Sequence, residues 1–509
     1  MAYLLGIDLG TSGTKTVLFS EDGRPQSSHT VEYPMYQPRN GWAEQDPEDW
    51  WRAAAEGIRM VLEKGNVNPR DVIGVGLSGQ MHGLTMLDKD GNVLRNAIIW
   101  CDQRTGEQCD EMARRLGRKR VIEITANPPM TGFTAAKIMW VKQNQPEVYA
   151  KCAHILLPKD FIRFKLTGEF ATEVSDAAGM QLMDVPKRIW SREMLEMLDI
   201  SEDLLARMYE SPDVTGKVHE AGAKATGLLP GTVVVGGAGD NAAAAVGTGV
   251  VRSGRAFTTL GTSGVVYAVS DTVSIDPEGR VHTLCASVPG KWTVMSCTQA
   301  AGLSLRWLRD TCCLMEVQEA KSRGVDPYVV MTEKAQSVPI GAQGLIYLPY
   351  LMGERSPHPD PDCRGVFFGL SAMHDRSHLI RAVMEGVAYS QAECVDVFRE
   401  MHVPIREMMA CGGGGRSPLW RQMLSDLYGC TVSTIQADEG PALGAAILAG
   451  VGTGVYDSVE AACDRIVKTE NNLAPVPENT KAYEGYYKLY KKLYRSLKDD
   501  YKALAALNG

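Results

Sequence analysis

Leu9-Gly10-Thr11-Ser12-Gly13 recurs letter for letter as Leu260-Gly261-Thr262-Ser263-Gly264, 251 positions further along a chain of 509 residues. Both copies sit between apolar, strand-like segments. Around the first, Leu4 to Asp8 leads in and Val17-Leu18-Phe19 leads out, while Gly10 and Gly13 permit a tight turn. Five identical letters in matching strand-turn-strand contexts imply two related halves. The boundary is placed near Arg252 to Arg255, giving expected domains 1–252 and 253–509. Length agrees, since a chain of this size exceeds one hydrophobic core. Outward from the first turn, strands and helices alternate. A helix is predicted to open at Asp46, with Asp46 capping, Pro47 at the first helical position and Glu48 and Asp49 at the positive end. Strands are predicted at Ile73 to Leu77, after Gly79 with a turn at Asp90-Gly91-Asn92, and at Ala97 to Trp100. The alternation predicts an α/β fold.

The formal net charge is -8, and a chain without a basic stripe is not built to hold a nucleic-acid backbone. The most apolar long window, Thr232 to Val251, is broken by Asp240 and rich in Gly, so no membrane span is expected. MAYLLGIDLG lacks the basic region of a secretion signal. The expected setting is the cytoplasm, and the expected class an enzyme with a small-molecule site between its domains. The 12 Cys are scattered without a Cys-x-x-Cys, which reads as reduced thiols rather than a zinc knuckle or disulfide framework. His374 and His378 are four apart, but no Glu joins them in a metalloprotease pattern, and they read as polar residues at a helix start. From Lys481 to Ala506, the residues Tyr483, Tyr487, Tyr490, Tyr494, Leu497, Tyr501 and Leu504 recur at helical period, predicting a terminal amphipathic helix docked by its aromatic stripe.

Five glycine-rich stretches bear on chemistry. There is no Gly-x-x-x-x-Gly-Lys-Ser/Thr, which disfavours a P-loop enzyme. Gly74-x-Gly76-x-x-Gly79 matches the dinucleotide fingerprint, with Asp102 further on, but Gln80 to Leu87 has strand rather than helix character, against a dehydrogenase. The two LGTSG turns present hydroxyls and backbone N–H groups that can bracket a phosphate chain, and Lys15 and Asp8 extend the first toward a phosphate oxygen and Mg2+. Taken singly, each is also a plain hairpin. Cys411-Gly412-Gly413-Gly414-Gly415-Arg416-Ser417-Pro418 precedes a helix near Leu419, as a nucleotide seat or a flexible turn. In Gly236-Gly237-Ala238-Gly239-Asp240-Asn241, Asp240 is either a helix cap or an accessible catalytic carboxylate.

Read in order, IDLGTSGTK (7–15), GQMHG (79–83), WCDQR (100–104), GFTAAKIMW (132–140), LPKDFIRFKLTGEF (157–170), GGAGDNAAAAVG (236–247), LGTSG (260–264), LPYLMGERSPH (348–358), CGGGGRS (411–417) and GPALGAA (440–446) closely resemble the FGGY carbohydrate kinases. The resemblance implies two actin-like, ribonuclease-H-like domains with ATP and sugar between them, the N-terminal half on the sugar side and the C-terminal half on the nucleotide side. It implies ATP-dependent phosphorylation of a sugar, D-xylulose to D-xylulose 5-phosphate being the expected reaction, with Asp240 as general base and Met81, His82 and Asn241 against the sugar. By the same resemblance Asp8 holds Mg2+, and Thr11, Ser12, Gly13, Lys15, Gly261, Thr262, Gly413, Gly414 and Ser417 contact the nucleotide. Cys101 departs from the family's more usual Asn and leaves the particular sugar open, gluconate and ribulose included. An actin-like ATPase without a sugar acceptor is the alternative from another class, and the oligomeric state, a homodimer among the options, is not set by the sequence.

Overall fold

The computed structural model describes residues 2–436 and 439–507. Its two compact units comprise Met1–Arg252, Val269–Thr293 and Ala437–Lys468 in one, and Ser253–Ala268, Val294–Gln436 and Thr469–Gly509 in the other. The chain first passes from one unit to the other at Arg252/Ser253 and returns twice to the first unit, at Val269–Thr293 and Ala437–Lys468.

The second return has a steric cause in the helix Gly440–Gly452. A methyl group on Gly6 would lie 2.0 Å from the Ala442 carbonyl oxygen, and one on Gly76 would lie 1.9 Å from that of Ala445. One on Gly444, in the helix itself, would lie 1.9 Å from the Ala243 oxygen. Glycine at these positions brings backbone against backbone, so the helix is keyed to the first unit's sheet and to the helix Asp240–Gly247. Gly74 and Gly76 of the dinucleotide-like pattern serve this packing. Their strand runs to Gly79 and is followed by a strand at Thr85–Leu87 rather than by a helix, which removes the pyrophosphate-binding helix N-terminus that a dehydrogenase needs.

In the first unit the hairpin Tyr3–Leu9 and Gly13–Ser20 lies between Pro25–Glu32 and the parallel strand Val72–Gly79. Val233–Val235 extends the sheet in parallel, and Val214–Lys217 closes it antiparallel. Alternate residues serve opposite faces. Leu5, Ile7 and Leu9 share a core with Trp50, Ala54, Ile58 and Val61 of the helix Pro47–Gly65. Leu4 and Val17 pack with Leu443, Ala446 and Ile447. Asp46 caps the helix as expected, its carboxylate accepting from Glu48 N at 2.9 Å. The strand predicted at Ala97 to Trp100 is shorter, Ala97–Ile98.

The second unit repeats this sheet order. Trp292–Thr298, Gly264–Ser270, Gly254–Leu260, Ile405–Cys411, Thr431–Ile435 and Thr469–Leu473 follow one another, with a hairpin, two parallel neighbours and an antiparallel edge. The two LGTSG copies therefore occupy the same hairpin turn of two related sheets. The terminal helix runs Pro477–Leu507 and buries Tyr483, Tyr490, Leu493, Tyr494 and Tyr501. Tyr487 donates to Asp396 at 2.7 Å, whereas Leu504 is exposed, beyond the docked stripe. His378 forms a capping box with Asp375 at the start of Arg376–Glu400. Among the described residues no helix is long and apolar enough to cross a membrane, and none of the 12 Cys is joined in a disulfide.

Candidate active site

Three neighbouring strands of the first unit end side by side. In register, Asp8 lies beside Ser78 and Leu9 beside Gly79, while Ala238 and Gly239 pair with Ser78 and Gly79 from the other side. Parallel strands thus deliver Asp8, the Gln80-Met81-His82 segment and Asp240 to one end of the sheet, where open α/β sheets hold their ligands. Asp8 and Lys15 are directly opposed across the hairpin, so their side chains share a face.

Asp240 is the first residue of the helix Asp240–Gly247, and Gly239 is the cap residue. The helix-cap alternative for Asp240 is thereby set aside. Its Oδ1 accepts from Asn241 N at 2.7 Å and from Asn241 Nδ2 at 2.9 Å, fixing the carboxyl plane. Burial, followed by the neighbouring charge of Asp8, pushes its pKa up to about 7. Such a carboxylate is poised to take a proton near neutral pH. Gly237 supports the turn at φ 70°, where a methyl would lie 2.1 Å from the Leu77 oxygen.

His82 has a left-handed backbone, φ 68°, held through its carbonyl, which accepts from Thr134 Oγ1 at 3.1 Å and Lys137 Nζ at 2.8 Å. Its Nδ1 lies 3.0 Å from the Gly179 carbonyl. A carbonyl only accepts, so Nδ1 carries the proton in this contact. The ring packs on Phe133, centroids 4.3 Å apart. Met81 is buried, and its side chain fills the space a methyl on Gly239 would take. Met81, His82, Asp240 and Asn241 are therefore gathered in one place. Lys137 escaped the sequence reading because lysine normally marks surface. Here its amine has no exposed area, donates to the His82 and Gly132 carbonyls, and is pushed down to about 7 by burial.

The first LGTSG turn is braced rather than loose. Gly10 N donates to Gly13 O at 3.0 Å, Gln45 Nε2 to Thr11 O at 2.7 Å, and Trp100 Nε1 to Thr11 Oγ1 at 2.9 Å. Ser12 is exposed. Lys15 Nζ is 2.6 Å from Glu439 Oε2, an ion pair within the first unit. Asp8 accepts from Ser78 Oγ at 2.9 Å, and burial raises its pKa.

The donor chemistry fits a hard cation. Asp8 and Asp240 offer carboxylate oxygens, and among the described residues no group of three or more potential ligands forms a closed cage. Mg2+ is commonly held by one or two carboxylates, with the remaining positions taken by water and phosphate oxygens.

The second unit contributes a cavity of about 630 Å3, within the range for small-ligand sites. Gly261, Thr262, Gly413, Gly414 and Ser417 line it, along with Leu305, Tyr328 and Val329. The Gly261 and Thr262 carbonyls accept from Gly302 N and Ala301 N, holding the turn against the next helix. The residues 412–415 form one helical turn, and Gly413 faces open space. Ser417 caps the helix Pro418–Tyr428 by accepting from Trp420 N at 3.3 Å.

Residues 3–247 match the N-terminal domain model of the FGGY family of carbohydrate kinases, and residues 256–453 match its C-terminal domain model. The chain belongs to this family. It is 38% identical to a xylulose kinase of Bacillus subtilis over 98% of each chain, and 32% identical to a gluconokinase of Bacillus licheniformis over 99% of this chain and 98% of that one. Among solved structures, a xylulose kinase from Rhodospirillum rubrum superposes with a TM-score of 0.91 at 28% identity, covering 98% of this chain and 100% of that one. As an FGGY kinase the chain is a phosphotransferase with two actin-like domains, consistent with the repeated sheets.

Proposed function

We propose that this FGGY kinase transfers the γ-phosphoryl group of ATP to the terminal hydroxyl of D-xylulose, giving D-xylulose 5-phosphate and ADP. The observation that carries the reading is Asp240, held up to about 7 beside Met81 and His82, in a chain similar to proteins named xylulose kinase over nearly full length. His82 Nε2 accepts from one sugar hydroxyl, and Asp240 orients the terminal hydroxyl. As the sugar oxygen bonds to the γ-phosphorus, Asp240 takes the hydroxyl proton. The bond from phosphorus to the bridging oxygen breaks and its electron pair leaves on ADP. In such a loose transfer the nucleophile needs little activation, so orientation supplies most of the acceleration.

The apolar walls at Leu305, Tyr328 and Val329 suit the base and ribose of ATP, and the glycine-lined turns suit its phosphates. Asp8, with Asp240 near it, is the residue we assign to Mg2+, which when bound neutralises phosphate charge. Lys15 meets a phosphate oxygen after exchanging its Glu439 partner. Gluconate is the second reading, on the strength of the gluconokinase similarity. ADP release measured against D-xylulose, D-ribulose, gluconate and glycerol separates the two. The expected order puts D-xylulose first, and faster turnover of gluconate or ribulose overturns the assignment.

A further inference from the structure

Beneath the Asp240 turn lies a set of ionisable side chains with no exposed surface: Lys159, Asp160, Arg163, Glu173 and Asp176. Lys159 Nζ is 2.8 Å from Asp160, 3.1 Å from Asp176 and 3.3 Å from Glu173, and Arg163 pairs with Asp160. Burying so many charges is unfavourable unless geometry and added hydrogen bonds compensate, and apolar residues of similar volume often stabilise as well. The use of this set is best sought in the backbone it holds.

Two lines lead from it to the site. Arg163 Nη1 donates to the Gly236 carbonyl at 2.8 Å, where the catalytic turn begins. Glu173 accepts from Ser175 N at 2.7 Å, Ser175 Oγ at 2.9 Å, Asp176 N at 2.9 Å and Ser211 Oγ at 2.8 Å. Four donors fill the carboxylate and fix the direction of the Ser175 hydroxyl, whose single proton is spent on Glu173. The Ser175 lone pairs then face Gly239 N, which donates at 3.2 Å. Gly239 is the residue before Asp240. Four residues after Ser175, the Gly179 carbonyl meets His82 Nδ1 at 3.0 Å, and a methyl on Gly179 would lie 2.3 Å from that nitrogen. One short segment, residues 173–179, thus touches both the turn bearing Asp240 and the ring of His82.

We propose that Ser175 is a positioning residue of the phosphoryl-transfer site, its hydroxyl locked by Glu173 so that it fixes the Gly239 amide and through it the aim of the Asp240 carboxylate. The proposal rests on Asp240 being the base, as read under Proposed function. Ser211 is the internal control, because its side chain also donates to Glu173 while its bond to the turn is made by its backbone carbonyl, which accepts from Gly237 N.

The experiment compares Ser175→Ala and Ser211→Ala with the wild-type chain by steady-state kinetics and by hydrogen exchange of the peptide covering residues 233–246. Ser175→Ala is expected to lower kcat tenfold or more, leave the KM for ATP within twofold, and speed exchange in that peptide. Ser211→Ala is expected to stay within twofold in kcat with unchanged exchange. Equal losses in both variants, or a Ser175→Ala enzyme with near-normal kcat and exchange, overturns the proposal. Should Ser175→Ala not fold, Ser175→Cys, which keeps the size and only a weak acceptor, carries the same measurements. A wild-type chain that phosphorylates no sugar defeats the functional reading, and the exchange readout still decides whether Ser175 holds the turn.

Discussion

Gly76→Ala tests the packing that brings the Gly440–Gly452 helix to the first unit. The added methyl would sit 1.9 Å from the Ala445 oxygen, 2.6 Å from its carbonyl carbon and 3.2 Å from its Cα. All three are backbone atoms, so no side chain can rotate away. Restoring a contact of about 3.5 Å demands a withdrawal of about 1.5 Å by the helix. That withdrawal also disturbs the contacts of Gly6 with Ala442 and of Gly444 with Ala243, the latter on the helix that begins at Asp240. Overpacking usually costs about 1–3 kcal/mol and sometimes more; with backbone on both sides, about 3 kcal/mol is expected here. Urea unfolding followed by tryptophan fluorescence and far-UV circular dichroism reads this as a midpoint shift of about 1 M if the slope is near 3 kcal/mol/M. A midpoint within about 0.3 M of wild type, at the same slope, would refute the packing and reopen Gly76 as a ligand-binding glycine.

Asp240→Ala should lower kcat by roughly two to four orders of magnitude while leaving ADP binding and the melting temperature near wild type, as read by coupled assay and calorimetry; near-normal turnover would remove Asp240 from its role. The kcat/KM for sugar should rise through about pH 7 as the Asp240 carboxyl ionises, and a profile flat down to pH 5 contradicts it. Burial lifts this group's pKa above its ordinary value, so below about pH 4 folded and unfolded chains both hold the proton, and from there to about pH 7 only the folded chain does. Its contribution to stability is thus complete in acid and declines as pH rises, and the melting temperature of Asp240→Asn should gain on wild type between pH 4.5 and pH 8. Lys159→Met leaves Asp160, Glu173 and Asp176 without their shared cation and should destabilise by about 3–5 kcal/mol in a denaturant melt; a loss under about 1 kcal/mol counts against the buried network.

Much of this architecture is written locally in the chain. The twin LGTSG turns announce two related sheets because a hairpin turn needs small residues at fixed positions, and Asp46-Pro47 announces a helix because capping is a local interaction. The tyrosines from Tyr483 to Tyr501 betray a docked face by their spacing alone. Other features depend on partners distant in sequence. The segment Gly440 to Gly452 is nearly all small or apolar, and nothing in that composition tells which of two sheets it fits; the answer lies in Gly6 and Gly76, more than 360 positions away. Gly74-x-Gly76-x-x-Gly79 misdirects for the same reason, since its glycines make room for a helix rather than for a pyrophosphate. Lys137, Lys159 and Arg163 read as surface residues, and only tertiary contacts reveal that their charges are spent inside on the carbonyls of His82 and Gly236 and on buried carboxylates. The residues singled out by family pattern lie at one end of the first unit's sheet and along the second unit's cavity, while the ion pair of Lys15 with Glu439 leaves no trace in the pattern.

Following the phosphorus distinguishes a sugar kinase from an ATPase without a sugar acceptor. With D-xylulose, ATP and Mg2+, 31P NMR should show one sugar 5-phosphate formed for each ADP, and no ADP formed when the sugar is left out. ADP accumulating without a sugar phosphate, at a rate indifferent to D-xylulose, would instead mark the chain as an ATPase and remove Asp240 from sugar phosphorylation.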